Sequence, residues 1–133
     1  MEGKRDDTML MNFLDAYNEC FYKKDLEALK EFYDTDSNVL IYLDNHKNND
    51  TYTVEEHLIL IADFFEKGKA TESGGVEPLI IDNMHVFNKG EAACLCYNAR
   101  YQSFPVPAVR CTMYVEWING KWKIVHVHCS FEP

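Results

Sequence analysis

Halfway along this chain the spacing of apolar residues changes from about 3.6 to 2, and that change limits the folds open to it. In the first half Leu10, Phe13, Leu14, Tyr17 and Phe21 recur at helical spacing with Asn12, Asp15, Asn18 and Glu19 between them. They predict an amphipathic helix that begins near Asp6-Asp7, where carboxylates favour the positive helix end. Asp25 reads as the N-cap of a shorter helix carrying Leu26, Leu29, Phe32 and Tyr33. Val39 to Leu43 reads as a short strand, and Asp44 to Asp50 as a polar loop. Thr53-x-x-Glu56 is a capping box for a third helix that buries Val54, Leu58, Ile61, Ala62 and Phe65. Gly74-Gly75 closes the helical half. Beyond it, Leu79–Phe87, Ala92–Gln102, Val109–Ile118 and Trp122–Phe131 alternate as four long strands. They are joined at Lys89-Gly90, Phe104-Pro-Val-Pro and Asn119-Gly120. Asn-Gly is the strongest of these turn signals, because a type I′ turn needs positive φ at both positions. Helices first and an antiparallel sheet afterwards predict one α+β domain over residues 1–133.

A two-residue turn at Asn119-Gly120 sets Trp117 opposite Trp122, Val115 opposite Ile124, Met113 opposite His126 and Cys111 opposite His128. One face then carries those eight residues. The other carries Arg110, Thr112, Tyr114, Glu116, Lys123, Val125, Val127 and Cys129. Both faces are partly apolar, so the sheet needs two covers. Helices supply one. A second copy of the chain, docked on Trp117, Trp122, His126 and His128, is the expected other.

Composition removes several partners. Thirteen Lys+Arg against 22 Asp+Glu give a formal charge of −9, which repels a phosphate backbone, so nucleic acid is not expected. The longest aliphatic run, Leu58 to Ala62, is too short to span a bilayer, and no membrane partner is expected. Met1-Glu-Gly-Lys-Arg-Asp-Asp lacks the apolar core of a secretory signal, and the 5 cysteines include no CxxC pair. A cytoplasmic chain with reduced thiols is the expectation. No phosphate-cradling glycine loop is present, and no cofactor is expected.

The order helix, Asp25-Leu-x-x-Leu-x-x-Phe-Tyr33 helix, strand, capped helix and four strands resembles the nuclear transport factor 2-like superfamily. These are cone-shaped, cystatin-like folds, and the likeness covers nearly the whole chain. Arg110-x-Thr112 with Gly120-Lys-Trp-Lys-Ile-Val-His-x-His-x-Ser130 resembles the SnoaL-like branch. The same run is similar to the association domain of calcium/calmodulin-dependent kinase II. The resemblance implies three N-terminal helices packed on a curved antiparallel sheet around a pocket. It also implies that alternate residues of the last strands point inward. Val125, Val127 and Cys129 would then line the pocket with Arg110, Thr112 and Tyr114, and Cys94, Cys96, Asn98 and Arg100 would join from the preceding strand. Tyr17 would reach the same cavity from the first helix.

The ligand so implied is a small, partly apolar molecule whose anionic or carbonyl group faces Arg110. Tyr17, Tyr114 and Asn98 would orient it, with Arg100 nearby and Val125, Val127 and Cys129 on its apolar part. An inward arginine needs a carboxylate or a ligand to offset its desolvation, and an internal ion pair with Glu116 or with an acid on a helix is the competing use of Arg110. An isomerase, cyclase or dehydratase is the alternative. Tyr17 stands at the spacing of the ketosteroid isomerase tyrosine relative to Asp25, but the position of that family's base falls on Ile41 and its second acid near Thr112 or Met113. Neither is a carboxylate. Asp44, otherwise a turn residue, and His57, otherwise a half-buried histidine, are the remaining titratable candidates beside Tyr17. A scaffold that builds rings of dimers, as the kinase association domain does, is the third reading. His126-x-His128 puts two imidazoles on one face about 7 Å apart, but with only His85 as a third candidate no metal site assembles.

Overall fold

The computed structural model of the chain describes residues 6–35, 39–43, 50–68, 79–101 and 108–131. Helix α1 spans Asp7–Lys23, α2 Leu26–Lys30 and α3 Val54–Gly68; strands β1 to β5 span Leu40–Leu43, Leu79–Asn88, Ala92–Tyr101, Val109–Ile118 and Lys121–Phe131. Asp44 and His46 in the polar loop, Gly74-Gly75 and the Phe104-Pro-Val-Pro connection lie outside the described residues.

The helix ends follow from their capping chemistry. Asp6 accepts a hydrogen bond from the Met9 amide at 3.0 Å and starts α1. Lys24, left-handed at φ 56°, stops it, its amide directed at the Cys20 and Phe21 carbonyls. Asp25 then caps α2 through the Ala28 amide at 3.1 Å. At α3 the Thr53 hydroxyl accepts from the Glu56 amide at 3.2 Å, while the Glu56 carboxylate accepts from Tyr52 rather than Thr53. The apolar stripes point inward as predicted. Leu10, Leu14, Tyr17, Leu29, Tyr33, Val54 and Ile61 are buried. They pack against Leu95, Met113, Val115 and Ile124, each 0% exposed. Each such aliphatic side chain is worth about 2 kcal/mol on full burial.

The sheet order is β1-β5-β4-β3-β2. The β2–β5 meander is antiparallel, but β1 runs parallel to β5, so the sheet is mixed. The Asn119-Gly120 turn forms with φ 52° and 81°, as type I′ geometry requires. Trp117 faces Trp122 and Val115 faces Ile124 as expected. Beyond that the expected register fails, because Tyr114 pairs with His126, Thr112 with His128 and Cys111 with Cys129. Val125 is the extra residue of a β-bulge. The physical reason is burial. An unbroken register would turn His126 and His128 into the core and Val127 and Cys129 out of it. One inserted residue exchanges those sets, sparing the cost of desolvating two imidazoles. Next to the bulge the Ile124 amide donates to the Phe32 carbonyl at 2.7 Å and its carbonyl accepts from Asp34 at 3.0 Å.

Candidate functional site

The bulge redistributes the residues expected to line an internal pocket. Val127 and Cys129 are buried in the core, at 4% and 9% exposure, and Val125 is half-buried at the bulge itself. Arg110 and Tyr114 do not join them. Their strand neighbours Cys111, Met113 and Val115 take the inner face, so Arg110 is exposed on the outer one. Tyr114, also on the outer face, donates its hydroxyl proton to Glu116 at 2.7 Å, and that bond raises its pKa. Asn98 pairs with Arg110 and Asp82 across the strands and shares the outer face, although it is buried. Arg100 is fastened to Asp82 by two hydrogen bonds of 2.9 and 3.3 Å. The expectation of an inward arginine is overturned.

The sheet face proposed for a second copy is divided by the same bulge. Trp122 is buried and Trp117 packs on the core, their rings 5.3 Å apart. His126 and His128 emerge on the outer face around Tyr42, whose ring centre lies 5.9 and 5.8 Å from theirs. His126 Nδ1 contacts the Leu40 carbonyl at 2.7 Å as its donor. His85, on β2, is separated from these histidines by two strands, roughly 14 Å of sheet. Among the described residues no three His, Cys, Asp or Glu side chains gather in a way that could hold a metal ion.

Inside the fold the structure brings together a different set. The Tyr17 hydroxyl lies 3.1 Å from the Tyr33 hydroxyl, which lies 3.0 Å from His57 Nε2. All three side chains are buried. The sequence singled out Tyr17 and His57; it passed over Tyr33, the link between them, as one more apolar position of α2. Its signal was a hydroxyl on a stripe that otherwise carries none. Burial pushes both tyrosines well above the ordinary phenol range, so both stay protonated. Burial also lowers His57 to about 4, so its imidazole is neutral near pH 7.

Two phenols and one neutral imidazole carry one donor hydrogen each, while the chain contains two hydrogen bonds. One donor is left over whichever way the chain is directed. If Tyr33 donates to His57, the surplus is at His57 Nδ1, a buried atom with no partner among the described residues. If His57 donates, the surplus moves to a tyrosine hydroxyl. Tyr97, Cys111 and Cys129 are buried on the same inner face, with the Tyr97 phenol raised by burial and by the neighbouring Cys111 thiol.

No protein-family model matches the chain, and no curated protein does. Solved structures do. A candidate dehydratase of the nuclear transport factor 2-like family from Streptomyces avermitilis superposes with a TM-score of 0.75 at 16% identity, covering 93% of this chain and 94% of that one. A candidate ketosteroid isomerase from Parabacteroides distasonis gives 0.68 at 19% identity, with 93% and 86% covered. A candidate calcium/calmodulin-dependent protein kinase II association domain from Xanthomonas campestris gives 0.69 at 15% identity, with 94% and 86% covered. The chain has the nuclear transport factor 2-like, cystatin-like fold.

Within this nuclear transport factor 2-like fold the buried tyrosine–histidine chain runs from α1 through Tyr33, three residues beyond α2, to α3. Ile41, where the resemblance put a catalytic base, is buried on the inner face beside Val127. An open groove of about 290 Å³ lies near the Asn119 turn, lined by Tyr33, Asp34, Thr35, Ile118, Asn119, Lys121 and Lys123. It includes neither Tyr17 nor His57, and Lys123 is tied to the Glu31 carbonyl at 2.5 Å. Among the described residues no helix is long and apolar enough to cross a membrane.

Proposed function

We propose that this protein binds a small, partly apolar molecule inside the cone, through an acceptor oxygen of carbonyl type. The supporting observation is the surplus donor of the Tyr17–Tyr33–His57 chain. A buried donor without an acceptor costs about 1–3 kcal/mol, and an acceptor-only oxygen is the ligand group that relieves it. With Arg110 on the outer face, the interior offers neutral donors and no positive charge among these residues, which favours a neutral carbonyl over an anion. Val127 and Cys129 would meet the apolar part. The same reading places a second copy on the outer sheet face around His126 and His128, in a cytoplasmic setting.

Native mass spectrometry of gently purified protein tests the binding. The expected spectrum shows a discrete non-covalent adduct whose retention falls about tenfold in either Tyr17→Phe or His57→Phe, whichever holds the free proton. A bare protein, in which neither substitution alters the thermal shift given by a panel of small apolar ketones, would reject it.

Acid–base catalysis is the second reading, and the burial of His57 inside the cone favours keeping it. The dehydratase and ketosteroid isomerase named above lend it precedent of fold only. It requires turnover that disappears in His57→Gln while the adduct remains.

A further inference from the structure

The inner face carries a second chemical feature, a pair of opposed thiols, one of which, Cys129, also lies where the proposed ligand would sit. Cys111 on β4 and Cys129 on β5 stand directly opposite one another, and the Cys129 thiol donates to the Cys111 sulfur at 3.2 Å. Both are buried, and neither is in a disulfide. Opposed residues of an antiparallel pair have Cα atoms about 4.5–5.5 Å apart, inside the range of about 4.4–6.8 Å that a disulfide spans. The bond itself is about 2.0 Å long, so closure asks the sulfurs to move by roughly 1 Å. Cys94 and Cys96 make the contrast. Their sulfurs lie 3.9 Å apart on the outer face, but two residues of one strand hold their Cα atoms close to the upper limit for a bridge. The β5 bulge is what brings Cys129, rather than His128, opposite Cys111.

We propose that Cys111 and Cys129 are a peroxide-oxidisable dithiol that closes to a reversible cross-strand disulfide in the wall of the cone. The oxidant is hydrogen peroxide, small enough to enter where water can. One sulfur, as thiolate, attacks it. An S–O bond forms, the O–O bond breaks, and the leaving hydroxide departs as water with that thiol's proton. The second thiol attacks the sulfenic sulfur, forming S–S and breaking S–O, and a second water carries away its proton. Two electrons pass from the sulfurs to the peroxide, and a dithiol reductant reverses the bond. Tyr97, whose phenol neighbours the Cys111 thiol, faces a disulfide instead of a thiol in the oxidised form. The polar wall of the cone thus has two states.

The test treats reduced, folded protein with millimolar peroxide, alkylates the remaining thiols and maps the peptides. The expected product lacks two hydrogens, links 111 to 129 and stays the same size. Its thermal midpoint is roughly 5–10 °C higher, and dithiothreitol reverses the change. The Cys20→Ser/Cys94→Ser/Cys96→Ser variant, which keeps only the pair in question, should behave alike. Should that variant fail to fold, peptide mapping of the wild-type chain carries the test alone. A link between 94 and 96, sulfinic acids without a link, or intact thiols at 111 and 129 after the half-buried Cys94 and Cys96 have reacted would each overturn the assignment.

Discussion

Burial holds His57 neutral, with its pKa lowered to about 4. In the unfolded chain the same imidazole titrates near 6.5, so between those values the unfolded state binds more protons than the folded one. Stability is therefore full above about pH 6.5 and falls as the pH drops towards 4. His57 alone accounts for about 3 kcal/mol of that loss. Urea unfolding near pH 7 and near pH 4 should show this difference in the wild type and a much smaller one in His57→Gln. Parallel pH profiles for the two proteins would refute it. Tyr17 and His57 were both legible as candidates because each lies on an apolar helical stripe, where a polar tip needs a partner. Their connection through Tyr33 was not. It depends on how the end of α2 meets α1 and α3, which no local pattern records. Arg110 failed for the converse reason: its parity was carried along the hairpin from the turn, and the bulge in β5 broke that count.

The Asn119-Gly120 turn shows how strongly two residues specify a hairpin. Gly120 has φ 81°, and a Cβ added there would meet nothing within 4 Å. The cost of Gly120→Ala is thus conformational rather than steric, about 1 kcal/mol. Denaturant titration should find that loss with an unchanged unfolding slope, and a neutral substitution would show that the turn relaxes. Helices and hairpins were readable because their signals are local: a stripe, a cap, a pair of left-handed residues. The bulge at Val125 is set by what the rest of the molecule buries. Its trace in the sequence is a change of phase within β5, where the inward apolar positions Trp122 and Ile124 give way to Val127 and Cys129 across adjacent Ile124-Val125. Parallel pairing of β1 left no such trace, since a four-residue strand fits either direction equally well.

On the scale of the whole molecule, the outer sheet face remains half-exposed around Cys96, Thr112 and Tyr114, with Ile80 and Phe87 exposed at 42% and 57%. If a second copy covers it, Thr112→Glu at its centre should convert a dimer to a monomer without changing the circular dichroism spectrum. Sedimentation velocity decides this, and a monomeric wild type would remove the dimer from the proposal. The position of β5 has a consequence for how the chain is made. It is synthesised after every other described element, yet it lies between β1 and β4. Its His126 grips the Leu40 carbonyl across 86 residues of sequence. A ribosome releasing this chain exposes three apolar helical stripes and an unfinished sheet until the last hairpin emerges. Neither β1 nor the end of α2 has its β5 partner before then, so the cone closes in one late step, and chaperones have that whole interval in which to act.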